Sequence, residues 1–172
     1  MKQQAEITLQ FPVELPGQEP ITKITLRRPK TCDQLAADES SDDLGVQTKT
    51  LLSNLAGIAP EVISEMDLGD FEKLKDALEE LYDYTPLDQY TPGEEIKLLA
   101  PVSRADGSKM ETITLRRPKV KDIEAAQKGA GTKERRALMI YSILAGVPFD
   151  ELIELDWADM QRLREVYHDF LA

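Results

Sequence analysis

The chain has a single cysteine, Cys32, so no intramolecular disulfide can form, and a reducing compartment is expected. It has a single histidine, His168, which excludes paired-histidine chemistry and His-rich metal sites. No apolar run approaches the roughly 20 residues that span a bilayer. The opening residues, Met1 to Glu6, lack the apolar stretch of a signal peptide, so a cytoplasmic setting is expected. Basic residues are in deficit: 21 Lys and Arg stand against 32 Asp and Glu, a net charge of −11. A chain this acidic is repelled by nucleic acid phosphates and by anionic membranes, so neither is expected as a partner. Glycine-rich phosphate loops, nucleophile elbows and zinc-ligand spacings are absent too. No cofactor and no metal are expected, and the chain reads as not an enzyme. What is present suffices for a core, since 41% of the 172 residues are hydrophobic.

The chain contains one unit written twice. Ile24-Thr25-Leu26-Arg27-Arg28-Pro29-Lys30 recurs intact as Ile113-Thr114-Leu115-Arg116-Arg117-Pro118-Lys119, an offset of 89 residues. The same offset runs without a gap in both directions. It pairs Pro12-Val13 with Pro101-Val102, Asp33 with Asp122, and Leu55-Ala56-Gly57 with Leu144-Ala145-Gly146. It also pairs Asp67 with Asp156, Asp70 with Asp159 and Leu74 with Leu163, and 23 of 77 aligned pairs are identical. This is a tandem duplication, with two copies too few for a solenoid. The expected division is a first module over 1–83, a linker over 84–93 and a second module over 94–172. Two prolines and a glycine punctuate that linker, whose Tyr84 and Tyr90 either pack on a module or stay in a partly ordered connector.

Each module should be α+β: a β-hairpin followed by three or four short α-helices. Ile7, Leu9 and Phe11 alternate with Thr8 and Gln10, the period of a half-buried strand. Turns follow at Pro16–Pro20 and at Ala105–Ser108, then second strands carrying Ile24 and Leu26, or Ile113 and Leu115. Pro29 and Pro118 suit the start of a first helix through the Ala-Ala pairs. A second helix is expected over about Gln47–Leu55 and Lys133–Leu144, stopped by Gly57 and Gly146. A third starts after Pro60 or Pro148. The fourth has Asp67 or Asp156 as N-cap, with Asp70 or Asp159 three residues on as an acidic capping box. Met66 with Phe71, and Leu155 with Met160, fit a hydrophobic staple.

The copies differ in charge. Residues 1–89 carry 8 basic and 18 acidic side chains, whereas residues 90–172 carry 13 and 14. The contrast concentrates at Asp38–Asp43 against Lys128–Arg136. It fits either copies that touch different partners or drift on a solvated loop. Calcium is not indicated, because the acidic run lacks the glycine and closing glutamate of a binding loop. Capping accounts for the paired aspartates without catalysis. The candidate partner-binding residues are the arginines Arg27, Arg28, Arg116, Arg117, Arg135 and Arg136, which suit carboxylates or phosphates, with surface charge pairing as the plainer alternative. The exposed parts of helices two and four are candidates beside them.

The order strand, Leu-Arg-Arg-Pro, Asp/Ala helix, Leu-Ala-Gly, short helix and Leu-Asp-x-x-Asp-x-x-x-Leu resembles the tail assembly chaperones of contractile-tailed bacteriophages, the Mu-like and P2-like E family. The second copy is nearer the pattern, through Ile113–Pro118, Leu144-Ala145-Gly146-Val147-Pro148, Leu155-Asp156-Trp157-Ala158-Asp159 and Leu163. The resemblance covers nearly the whole chain, once per copy, and the duplication is its departure. It implies an assembly factor that binds the tape-measure protein, tail-tube subunits or both in the bacterial host, and it leaves a homo-oligomer open. The alternative from another class is an acidic regulatory protein, such as a nucleic-acid mimic, that occupies a basic protein surface.

Overall fold

Two antiparallel hairpins open the two repeats. In the computed structural model, which describes residues 1–82, 86–87 and 90–172, β1 (Gln4–Val13) pairs with β2 (Ile21–Arg27), and β3 (Glu95–Ser103) with β4 (Lys109–Thr114). Ile7 faces Ile24 in one ladder and Ile96 faces Ile113 in the other. Both ladders then slip at the same place, between Thr8 and Val13 and between Lys97 and Val102. The slip ends the alternation expected along β1. Ala5, Leu9 and Val13 turn into the core, while Phe11 is 55% exposed.

Four helices follow each hairpin. The first repeat has α1 (Thr31–Ser40), α2 (Leu44–Ala56), α3 (Pro60–Ser64) and α4 (Leu68–Leu81). The second has α5 (Val120–Lys128), α6 (Lys133–Ala145), α7 (Phe149–Leu152) and α8 (Trp157–Leu171). Local chemistry sets their ends. Asp43 accepts hydrogen bonds from the Gly45 and Val46 N–H groups at the start of α2, and the Thr132 hydroxyl accepts from Arg135 N–H at α6. Gly57 and Gly146 close the same helices with φ of +65°, a left-handed conformation that a side chain would strain. Asp67 and Asp156 cap α4 and α8, as their spacing predicts. The two-module α+β architecture is therefore the one that the duplicated pattern implies.

The chain packs as two units. Unit 1 holds Met1–Pro29 and Ala36–Asp83, and unit 2 holds Lys30–Leu35 and Tyr84–Ala172. The unit 1 core gathers Leu9, Val13, Ile24, Leu26, Leu52, Leu55, Val62, Leu74, Leu78 and Leu81. The unit 2 core gathers their counterparts, including Leu98, Val102, Ile113, Leu115, Tyr141, Leu144, Leu163 and Phe170, together with Leu35. Tyr90 packs on this unit: its hydroxyl lies 2.8 Å from the Leu115 carbonyl and accepts from Leu115 N–H, and its ring stands 5.8 Å from Phe170. Tyr84 lies outside the described residues.

Lys30–Leu35 enters unit 2 although it belongs to the first repeat by sequence. The first N–H groups of α1 donate outward: Thr31 N–H to the Leu155 carbonyl at 2.8 Å and Cys32 N–H to the Ile153 carbonyl at 2.7 Å. The Lys30 ammonium meets Glu154 at 2.7 Å, and Lys30 forms an isolated antiparallel bridge with Asp156. Thr31 is fully buried and Leu35 joins the unit 2 core.

Candidate functional site

The duplicated charged residues stand together in ways that explain their presence in both copies. The slipped strand leaves backbone N–H groups without a ladder partner, and the last helix supplies the acceptor. Asp70 accepts from Gln10 N–H at 2.8 Å and Phe11 N–H at 3.0 Å. Asp159 accepts from Leu99 N–H at 2.8 Å and Ala100 N–H at 3.5 Å. Each carboxylate also holds a cation one turn on: Lys73 at 2.8 Å from Asp70, and Arg162 at 2.9 Å from Asp159. Arg162 reaches on to the Lys97 carbonyl at 2.9 Å. These aspartates are thus clasps between the last helix and the strand bulge, and the expected acidic capping box at α4 and α8 is replaced by them. Side chains that do reach back to a helix start are Asp33 and Asp122, which accept from Lys30 N–H at 2.9 Å and Lys119 N–H at 2.8 Å.

The twin clasps differ electrostatically. The Lys73 ammonium and the Phe11 N–H hold the Asp70 carboxyl down to about 2. Burial instead pushes Asp159 up, against the pull of the Leu99 N–H and of Arg162.

The arginine candidates divide by environment. Arg28, 7% exposed, donates to the Leu81 carbonyl at 2.7 Å, and Arg117 donates to the Phe170 carbonyl at 2.9 Å. Leu81 and Phe170 are counterparts, so both arginines close the C-terminal end of the last helix. Arg117 also lies 5.7 Å from the Phe170 ring centre. Arg116 forms a two-pronged pair with Asp122, at 2.7 and 2.8 Å, which holds that carboxyl well below the usual carboxylate range. Arg27 donates to the Arg28 carbonyl. Arg136 donates to the Gly131 carbonyl at 2.8 Å, and Arg135 lies 5.8 Å from the Phe149 ring centre. The structure does not bring the six into one patch within either unit.

Each unit does carry a groove among its described residues. In unit 1 a cavity of about 350 Å³ lies between α2, α3 and the start of α4, floored by Ile63, Met66 and Phe71 and edged by Lys49 and Asp43. Leu44 and Leu68 are exposed by 77% and 71%, Leu68 lining this groove. In unit 2 a cavity of about 330 Å³ lies between α5, α6 and α8, floored by Ile140, Tyr141 and Tyr167 and walled by Ile123 and Ala137, with Lys133 and Arg136 at its edge. Tyr141 and Tyr167 meet edge to face at 5.6 Å, and burial raises the Tyr141 phenol pKa. Neither groove lies at the repeated motifs. In unit 2 the signal is the broad apolar stripe of α6, which supplies Ala137, Ile140 and Tyr141, whereas α2 gives the unit 1 groove only Gly45, Val46 and Lys49.

Among the described residues no three His, Cys, Asp or Glu side chains converge as a metal site, and no helix is long and apolar enough to cross a membrane. Cys32 sits in the α1 segment already described, and His168 stacks edge-on to Tyr167 at 6.2 Å.

Comparison with family models matches the chain twice, over residues 6–83 and 95–172, to the family described as phage tail assembly chaperone proteins, E, or 41 or 14. Neither a curated protein nor a solved structure matches the chain.

Proposed function

The chain belongs to the phage tail assembly chaperone family, with one family module in each repeat, and from that premise we propose that it binds the tape-measure protein while the tail assembles. The observation that carries this reading is the double family match spanning both repeats. The groove of unit 2 gives it a physical form. A tape-measure protein is long and helical, and its amphipathic segments need cover before tail-tube subunits enclose them. An apolar trough of Ile123, Ala137, Ile140 and Tyr141 can take the apolar face of such a helix. Arg136 and Lys133 at the edge can then meet acidic residues flanking that face. The net charge of −11 keeps the loaded complex soluble. Its role is holding rather than catalysis, in the cytoplasm of the bacterial host. Tail-tube subunits are the second client this reading admits.

The test is co-expression of the full chain with the tape-measure protein of the same phage or prophage. The chaperone should raise the soluble yield of the tape-measure protein and co-purify with it. Ile123→Glu with Ala137→Glu, both at exposed positions, should abolish co-purification while leaving the fold intact. Unchanged capture by this variant would remove the groove from the proposal, and no capture by the wild-type chain would remove the tape-measure protein.

A further inference from the structure

The two units answer the same structural question differently. In unit 2, the residues that follow α7 receive Lys30–Leu35: Ile153 and Leu155 accept its backbone N–H groups and Glu154 takes its lysine. The counterparts of Ile153, Glu154 and Leu155 in unit 1 are Ser64, Glu65 and Met66; Ser64 and Met66 line the open groove and Glu65 is exposed between them. The counterpart of the inserted segment is Lys119–Glu124, at the start of α5. Thr31 is 0% exposed in its seat, whereas Val120, its counterpart and near-isostere, is 75% exposed. One repeat's groove is filled, the other is open, and one segment of the filling kind remains unseated.

We propose that the unit 1 groove receives Lys119–Glu124 of a second copy of this chain, so that copies join head to tail. The chemistry on the two surfaces matches. Lys119 is positioned to meet Glu65 as Lys30 meets Glu154. The Val120 and Lys121 N–H groups open α5 as those of Thr31 and Cys32 open α1, and the carbonyls of Met66 and Ser64 stand where Leu155 and Ile153 accept. Val120 brings an apolar side chain to a groove whose exposed rim includes Leu68. At the deep end the apolar pair is exchanged for a charged one. Leu35 and Leu138 share the unit 2 core, and their counterparts are Glu124 and Lys49, of opposite sign. The exchange disfavours the wrong pairings, since Glu124 would bring a charge against the apolar Leu138. Such a contact is heterologous, so it builds rings or filaments according to whether the rotation closes. This inference goes beyond client binding, which uses the other groove and shares only Ile123 with the seated segment.

Sedimentation velocity across a concentration series tests it. The weight-average mass of the full chain should rise above 19.3 kDa with concentration. Val120→Asp and Leu68→Asp alter exposed residues at the first position of α5 and α4, where an acidic side chain suits the helix start, so both variants should fold. Each alone should weaken association by at least about tenfold. Mixed in equal amounts they should form a one-to-one pair and nothing larger, because the first keeps a working groove and the second a working segment. Glu65→Lys should weaken association, and Lys119→Glu in the same chain should restore it. A wild-type chain that stays single, association indifferent to Val120→Asp, or a mixture that stays single would each overturn the inference. A single chain that still captures the tape-measure protein would do so while leaving the proposed function standing.

Discussion

Removing the Asp159 carboxylate should unfasten unit 2. In Asp159→Ala the Leu99 and Ala100 N–H groups lose their acceptor, and the strand bulge offers them no ladder partner. Each such donor costs about 1–3 kcal/mol when left unsatisfied. Arg162, whose side chain is only 10% exposed, loses its carboxylate and keeps just the Lys97 carbonyl. Breaking a buried pair from one side costs about 3–5 kcal/mol. These losses share the same atoms and do not add, so the expected destabilisation is about 3–5 kcal/mol. With a urea m-value near 2 kcal/mol/M, the midpoint should fall by about 2 M. Trp157 is the sole tryptophan and lies in unit 2, so its fluorescence reports the relevant transition. Adding Arg162→Met should recover at least half of the loss, because it removes the stranded cation and fills the space with apolar atoms. A loss below about 1 kcal/mol, or a double variant less stable than the single, would refute the clasp as the source of the stability.

Acid should act on unit 1 through Asp70. Its folded carboxyl sits at about 2, below the ordinary 3.8, so its contribution is present above pH 3.8 and fades as pH falls towards 2. Asp70→Asn should flatten the fall in amide-exchange protection of unit 1 across that window. For Asp159 the sign reverses, because burial raises its folded pKa: ionising it costs part of the clasp's stability as pH rises from 3.8 through the folded value, and the hydrogen bonds and ion pair of the carboxylate supply what remains. Arg28→Ala should lower stability by about 1–3 kcal/mol by stripping the Leu81 carbonyl of its donor, and it should cost more than Arg27→Ala in the same thermal melt.

The parts of the fold that were legible in the sequence are those in which the residue type itself carries the geometry. Asp67 and Asp156 cap because a short carboxylate reaches the second N–H of a helix, and Gly57 and Gly146 stop helices because only glycine is at ease at φ of +65°. The clasp was not legible for the opposite reason. Its donors are backbone N–H groups, so the side chains there are free to differ, Gln10 and Phe11 against Leu99 and Ala100. Only the acceptors, Asp70 and Asp159, are constrained, and their spacing from Asp67 and Asp156 mimics a capping box. The outward turn of Phe11 follows from the same bulge, which breaks the period that a strand pattern assumes. The arginine pairs read as one feature although their members part: the second of each pair closes a helix, which depends on where that helix ends in space.

Duplication sets the two modules free to differ wherever their own cores do not object. Asp70 and Asp159, Arg28 and Arg117, and Leu26 and Leu115 are identical between copies, and all of them hold a module together. At the groove the pairs diverge: Val46 against Arg135, Lys49 against Leu138, Ser64 against Ile153, Leu68 against Trp157 and Phe71 against Met160. Of these five positions the second repeat has apolar side chains at four, Leu138, Ile153, Trp157 and Met160, and the first repeat at three, Val46, Leu68 and Phe71, with Lys49 and Ser64 at the other two. The net charge concentrates in the same way, near zero in the second half and strongly negative in the first. A surface with an internal tenant needs only packing, whereas one that must choose a partner in solution needs complementary charge at its edge. The open groove of unit 1 carries Lys49 and Asp43 at its margin, the charges that the proposed segment of a second copy would meet.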